Sequence, residues 1–209
     1  MEAGELTPKI EEALSKKTDR KFKQSVEAIF NFEGVEVEGE HKLNLNILLP
    51  KGRGKDVEIG VFADGDMNVR AKKLSKHVLG KDELESYGKN KRTMRKHADK
   101  CYSFIAQPEL MAAIGRFWGI ALGPRGKMPQ PVPPAANLEE VMKRIKNTVR
   151  VKTKKQPTVQ VPVGTDDMKP QDIAENTLAV YNTIERVIHK DNIKSMYVKT
   201  TMGEAVRIW

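Results

Sequence analysis

The chain has 209 residues, 39% of them apolar, which predicts a packed globular protein of one large or two small domains and argues against disorder. No apolar run approaches the ~20 residues of a membrane helix, the acidic, helical start MEAGELTPKIEEAL has no signal-peptide pattern, and Cys101 is alone, so no internal disulfide is expected and the cytoplasm is favoured. The formal net charge is +9, which points to a polyanionic partner.

Residues 7–17 read as a helix with Thr7 as cap, Pro8 in the first turn, and Ile10, Ala13 and Leu14 as an apolar stripe. SVEAIFNF sets Val26, Ala28, Phe30 and Phe32 against Glu27, Ile29 and Asn31, the alternation of a half-buried strand. LNLNILLP repeats it with Leu43, Leu45, Ile47 and Leu49; a Glu/Gly-rich turn lies between the two, which predicts a hairpin. PKGRGK, residues 50–55, breaks the strand, and the composition turns basic after it. VEIGVFA reads as a short strand ending at Asp64 and Gly65. Helices are predicted over 68–77 and 81–87, ahead of the basic run KNKRTMRKHADK. CYSFIA has the pattern of a buried strand, and PELMAAIGRFW that of a helix with Pro108 near its start. Asn137 caps a helix over LEEVMKRIKNTV, with Glu139 and Glu140 early and Lys143, Arg144 and Lys146 later, as the helix dipole favours. This alternation predicts a small three-layer, Rossmann-like α/β domain.

TVQVPVG, residues 158–164, is another alternating strand broken by Pro and Gly, mirroring NILLPKG. Two crossings at such breaks, Pro50 with Gly52 and Pro162 with Gly164, are what an inserted domain produces. The expected architecture is therefore a discontinuous α+β terminal domain, 1–51 with 160–209, carrying an inserted basic α/β domain over 52–159. A long helix over 170–189 buries Ile173, Thr177, Val180, Tyr181, Ile184, Val187 and Ile188. Two strands, IKSMYVKTT and EAVRIW, then join at Met202 and Gly203.

GPRGKMP, residues 123–129, ends in Gly-Lys like a phosphate-binding loop, but the pattern fails. Ala121 stands where the first Gly is needed, Met128 cannot offer a hydroxyl to Mg²⁺, and Pro124 removes an N–H. The histidines, His41, His77, His97 and His189, are scattered, and none has a second ligand at metal spacing. There is no Gly-x-Ser-x-Gly, and Cys101 sits in a buried strand pattern. Nucleic acid is better supported. Residues 51–159 hold 24 Lys/Arg against 11 Asp/Glu, and the two ends hold 13 against 17. Lys89, Lys91, Arg92, Arg95, Lys96 and Lys100 form one basic cluster, and Lys152, Lys154 and Lys155 a second. Such charges supply sequence-independent phosphate affinity. The polar turn after YVK offers the Thr200 and Thr201 hydroxyls, the soft Met202 side chain, and Gly203 for close approach.

GPRGKMP and VKTTMGEAVRI (198–208) resemble the signatures of the ribosomal protein one family, which builds the mobile side stalk of the large subunit. KFKQSVEAIFNF and NILLPKGRGK match its pattern too, in order and over nearly the whole chain, and the compact length is similar to archaeal rather than bacterial members. The resemblance implies a domain made from both chain ends with a second inserted at Pro/Gly hinges. It implies binding to a junction of large-subunit ribosomal RNA, stalk movement as deacylated exit-site tRNA leaves, and repression of the protein's own mRNA. It implies no cofactor, no metal, no membrane and a monomer off the ribosome. The family's RNA-facing positions fall on Lys21, Phe22, Ser25, Glu27, Ser195, Thr201, Met202 and Gly203. Glu204 departs from the Pro that many members carry there, and Lys199 can offset its charge.

The charge map and the resemblance point to different domains. Specificity is assigned to the terminal domain, because phosphate contacts position and base or sugar contacts specify. Lys91, Arg92, Arg95, Lys96, Arg125 and Lys127 are auxiliary contacts, with GPRGKMP as a tight, rigid loop. The alternative is a small α/β enzyme acting on RNA with the terminal domain as its guide.

Overall fold

The computed structural model describes residues 3–36, 42–88 and 90–209; His41, Lys89 and part of the Glu/Gly-rich turn lie outside them. In chain order the elements are α1 (Ala3–Ser15), β1 (Ser25–Phe32), β2 (Asn44–Leu48), β3 (Ile59–Phe62), α2 (Gly65–Leu74), β4 (Val78–Leu79), α3 (Lys81–Gly88) and α4 (Lys91–Lys100). There follow β5 (Ser103–Ala106), α5 (Met111–Leu122), β6 (Gln130–Pro131), α6 (Leu138–Lys146), β7 (Thr148–Lys152), β8 (Thr158–Thr165), α7 (Pro170–Glu185), β9 (Ile193–Thr200) and β10 (Val206–Arg207). They gather into two compact units, residues 1–55 with 147–209, and residues 56–146.

The first unit is α+β. Its antiparallel sheet has the order β10-β9-β1-β8, and β2 pairs with β7 in a second, two-stranded sheet. Val26, Ala28, Phe30 and Phe32 turn inward as the alternation predicts, onto a core closed by Leu6, Ile10 and Ala13 of α1 and Ile173, Val180 and Ile184 of α7. Helix α1 already spans residues 3–15, so Thr7 is no cap and Pro8 lies inside it. Fully buried Leu6 extends the stripe to Leu6–Ile10–Ala13, and Pro8 frees only the carbonyl of exposed Gly4. Helix α7 stops at Glu185, short of His189.

The β1–β2 hairpin does not form. β2 pairs with β7, from Asn44↔Lys152 to Leu48↔Thr148. The helical pattern runs on to Val149, and Lys152 falls in a basic cluster, so no strand is expected here. Val149 and Val151 are wholly buried while Arg150 and Lys152 face out, a strand alternation that competes successfully with helix once β2 offers its edge. This moves both crossings between units. They fall at 55/56 and 146/147 rather than at 51/52 and 159/160. Pro162 and Gly164 are no hinge: both sit inside β8, registered on Glu27 and Val26 of β1, with a bulge between. A Cβ on Gly164 would press on Ile173 and Met168 at 3.1 Å, so its role is close helix–sheet packing.

Pro50 and Gly52 lie three to five residues ahead of the first crossing, within the terminal unit. The Leu49 N–H donates to the Asn147 carbonyl at 3.0 Å, so the two crossings leave the unit side by side. Asn176 of α7 is completely buried and anchors the first of them to β8. Its Oδ1 accepts from the Lys51 N–H at 3.0 Å, and its Nδ2 donates to the carbonyls of Gly52 and Val163, both at 2.8 Å.

The second unit is a three-layer α/β fold. Its sheet is parallel throughout, in the order β4-β3-β5-β6. One face carries α2 and α6 over Val61, Met67, Ile105 and Met142; the other carries α3, α4 and α5 over Phe62, Phe104, Leu84, Met94 and Trp118. Helix α2 begins three residues earlier than the periodicity predicts, because Asp64 caps it by accepting from the Gly65 N–H.

The basic run is helix α4. Asn90 caps it, accepting from the N–H groups of Arg92 and Thr93, and Met94 with Ala98 are buried while Lys91, Arg92, Arg95 and Lys96 are exposed. Half-buried His97 packs its ring on Phe104, Trp118 and His77, whose ring centroid is 5.2 Å away. Burial, then His77 and Lys100, push its pKa below the ordinary 6.5. A buried imidazole with a lowered pKa contributes full stability above about pH 6.5 and loses it as acid protonates it. Unfolding of this unit, followed by Trp118 fluorescence, should therefore shift to lower denaturant below about pH 6.5, and His97→Gln should flatten that dependence.

Candidate nucleic-acid interface

GPRGKMP is the C-terminal cap of α5, not a phosphate cradle. Gly126 adopts φ 65°; its N–H donates to the Gly123 carbonyl at 2.9 Å, and the Lys127 N–H donates to the Leu122 carbonyl at 3.0 Å. This paired reversal is the Schellman arrangement, which favours glycine at its left-handed position. Arg125 grips the Asp99 carboxylate through two nitrogens, at 2.7 and 3.3 Å. The Lys127 ammonium donates to the carbonyls of Ala98 and Cys101 at 2.8 and 2.7 Å, closing the end of α4. Both cations thus have internal partners, and burial lowers the Lys127 pKa.

In doubly wound sheets ligands bind beyond the C-terminal strand ends, where strand order reverses. Here that place, beyond β3 and β5, is a cleft of about 330 Å³. Asp64, Asp66 and Glu109 line it, Asp64 already occupies the α2 N-terminus, and Arg70 is paired with Asp66 at 3.0 Å. These walls repel phosphates. Burial pushes the Cys101 thiol up to about 12, so it stays protonated at neutral pH and is a poor nucleophile. Among the described residues no group of three His, Cys, Asp or Glu is placed to hold a metal ion, and no helix is long and apolar enough to cross a membrane.

The first unit offers a different surface. The helices cover only one face of its main sheet, which leaves Ser25, Glu27, Ile29 and Asn31 of β1 on the other. Register sets Glu27 directly opposite Lys199, Ile29 opposite Tyr197, and Asn31 opposite Ser195. The Asn31 amide donates to the Ser195 hydroxyl at 3.0 Å, and the Thr158 hydroxyl donates to Asn31 Oδ1 at 3.1 Å, a polar row across β8, β1 and β9. Ser195, at 7% exposure, is thus partly committed to its own sheet.

At the end of this face the residues before β1 meet the turn after β9. The Thr201 N–H donates to the Ser25 carbonyl at 3.0 Å, and the Ser25 N–H donates to the Thr201 hydroxyl at 3.1 Å. The Thr18 hydroxyl donates to the Met202 carbonyl at 3.0 Å. A Cβ on Gly203 would lie 2.3 Å from the Thr200 hydroxyl and 3.1 Å from the Lys16 carbonyl. The close approach that Gly203 permits is therefore to the chain's own α1 end. The result is a continuous edge with Phe22 52% and Met202 48% exposed, flanked by exposed Lys21 and Arg20.

The redrawn boundaries also alter the charges. The terminal unit holds 20 Lys/Arg against 17 Asp/Glu, and the inserted unit 17 against 11. Lys51, Arg53, Lys55, Arg150, Lys152, Lys154 and Lys155 belong with the chain ends, so the terminal unit is net basic rather than acidic. The expected contrast in charge between the two units narrows, with the inserted unit still the more basic. Gln24 and Asp166, hydrogen-bonded to each other beside this edge, carry no signal in the sequence.

A profile of the ribosomal protein L1p/L10e family matches residues 14–204. The chain is 43% identical over 208 residues to the large ribosomal subunit protein uL1 of Methanothermobacter thermautotrophicus, covering 98% of both. It is 42% identical to uL1 of Thermococcus kodakarensis, covering 97% of this chain and 96% of that one. It is 37% identical to uL1 of Thermoplasma volcanium, covering 100% and 97%. Signature segments, two-unit α/β architecture and full-length similarity agree: the chain belongs to the ribosomal protein L1p/L10e family.

Proposed function

We propose that this protein is a cytoplasmic, structural component of the large ribosomal subunit that binds ribosomal RNA through the terminal unit and forms the mobile side stalk. One observation carries the reading. Segments about 180 positions apart, 18–25 and 200–203, are hydrogen-bonded into one edge that presents Phe22 and Met202 to solvent. Exposed apolar side chains beside hydroxyls and cations suit splayed bases and ribose 2′-hydroxyls. Glu27 would accept from such hydroxyls or base amino groups while Lys199 opposite it meets phosphate. Ser25, Ser195, Lys21, Thr201 and Gly203 complete the recognition surface. The same surface would bind a matching fold in the protein's own mRNA and repress its translation, and the stalk would move as exit-site tRNA leaves.

Helix α4 supplies phosphate contacts without selectivity. Among the described residues none of Lys91, Arg92, Arg95 and Lys96 is ion-paired. Titrating the full chain against a side-stalk ribosomal RNA junction and an unrelated hairpin, at two salt concentrations, tests both parts. Wild type should select the junction. Replacing all four cations with Gln should flatten the log K–log salt slope by about 1 to 3 and leave the junction-to-hairpin ratio nearly intact. An unchanged slope removes α4 from the interface, and equal affinity for both RNAs refutes the reading. RNA recovered unaltered after incubation with Mg²⁺ and ATP would set aside the RNA-enzyme alternative.

A further inference from the structure

The recognition edge is built from loops, and loops hold position only when their backbone groups are tied down. One residue ties three of them, two through its side chain and a third through its backbone. Gln24 is 1% exposed, although glutamine is ordinarily a surface residue. Its Nε2 donates to the Thr18 carbonyl at 2.6 Å, and its Oε1 accepts from the Met202 N–H at 3.0 Å. Its own N–H donates to Asp166 Oδ1 at 3.2 Å, and its carbonyl accepts from the Asp166 N–H at 3.0 Å. Asp166, in the turn after β8, also meets the Lys17 ammonium at 3.5 Å.

We infer that Gln24 is the positioning residue of the RNA-binding edge, fixing the Phe22 loop against the Met202 turn without itself touching RNA. The inference rests on the proposed reading of that edge. The amide is suited to the task because it donates in one direction and accepts in the other, as the Thr18 carbonyl and Met202 N–H require. A carboxylate can accept from Met202 but not donate to Thr18, and an apolar side chain can do neither. Without the bridge, Met202 itself keeps, among the described residues, the bond from Thr18 to its carbonyl, while Thr201 before it stays tied to Ser25. Phe22 and Met202 then sample more relative positions, and binding must order them again.

The test uses the full chain and two variants. Gln24→Met keeps the volume and removes both side-chain hydrogen bonds. Gln24→Glu keeps the acceptor and sets a negative charge against the Thr18 carbonyl and beside Asp166, with Lys17 the nearby cation. At about pH 8 each should bind the junction RNA about tenfold more weakly than wild type. In Gln24→Glu, burial and Asp166 raise the pKa of the introduced acid. Its affinity relative to wild type at the same pH should therefore recover as the pH falls to about 5.5, where the protonated acid donates to Thr18 again. Gln24→Met should show no such recovery, and its Met202 amide should exchange faster while β5 amides keep their rates. If Gln24→Met does not fold, the Gln24→Glu profile decides. Wild-type affinity in either folded variant at about pH 8, or a Gln24→Glu loss that does not recover in acid, overturns the inference and leaves the function reading standing. Failure of wild type to select the junction overturns both.

Discussion

Replacing Phe22 with alanine is expected to weaken binding to the side-stalk junction by about tenfold to a hundredfold, with little change in thermal stability. At 52% exposure the ring contributes modestly to the core. Its apolar surface becomes useful when a base or ribose covers it, and stacking on one aromatic contributes about 1–3 kcal/mol. Phe22→Tyr keeps the flat ring and should bind nearly as wild type. Phe22→Ala should leave affinity for an unrelated hairpin almost unchanged, because that binding is phosphate-driven. Calorimetric titration and a melting curve on the same samples separate recognition from folding. Equal affinity for the junction in wild type and Phe22→Ala would remove Phe22 from the interface.

The largest effect on stability is expected at Asn176. Asn176→Ala should destabilise the terminal unit by about 3 kcal/mol or more, because three buried or half-buried backbone groups lose their partner together. Those groups are the Lys51 N–H and the carbonyls of Gly52 and Val163. Gly52 adopts φ 70°, so the segment it belongs to depends on outside hydrogen bonds to keep its shape. The two tryptophans divide between the units, with Trp118 buried in the inserted unit and Trp209 at 40% exposure in the terminal one. Urea unfolding of single-tryptophan variants reads each unit separately. The Trp209 transition should move to lower urea and the Trp118 transition should not. A Trp209 shift below about 0.5 kcal/mol would mean that the approach to the first crossing is held by other contacts.

What the sequence disclosed follows from how local each signal is. β1, β8 and β9 were legible because each alternates apolar and polar residues along its own length. The β1–β2 pairing was misread because alternation names a strand and not its partner. β7 was hidden because TVRVK directly follows a strongly amphipathic helix and is only five residues long. Helix α4 escaped because Met94 and Ala98 are its only buried residues amid Lys and Arg. In the site, Phe22, Glu27 and the 201–203 turn could be placed through the family signatures. Gln24, Asn176 and Asp166 could not. Their sequence neighbours are ordinary, and their burial is decided by segments more than 120 residues away. Arg125 and Lys127 show the converse: two cations in a conspicuous motif turn inward to hold the end of α4.

The central claim is that recognition resides in the terminal unit. Its most direct test removes residues 56–146 and joins Lys55 to Asn147 through a short Gly/Ser linker, which the side-by-side crossings allow. Circular dichroism first establishes that the shortened chain is folded. It is then titrated against the junction RNA and an unrelated hairpin at two salt concentrations. The account predicts that the junction is still selected, with a shallower salt dependence than in the full chain. A folded shortened chain that binds both RNAs equally, or neither, would contradict it and move recognition to the inserted unit.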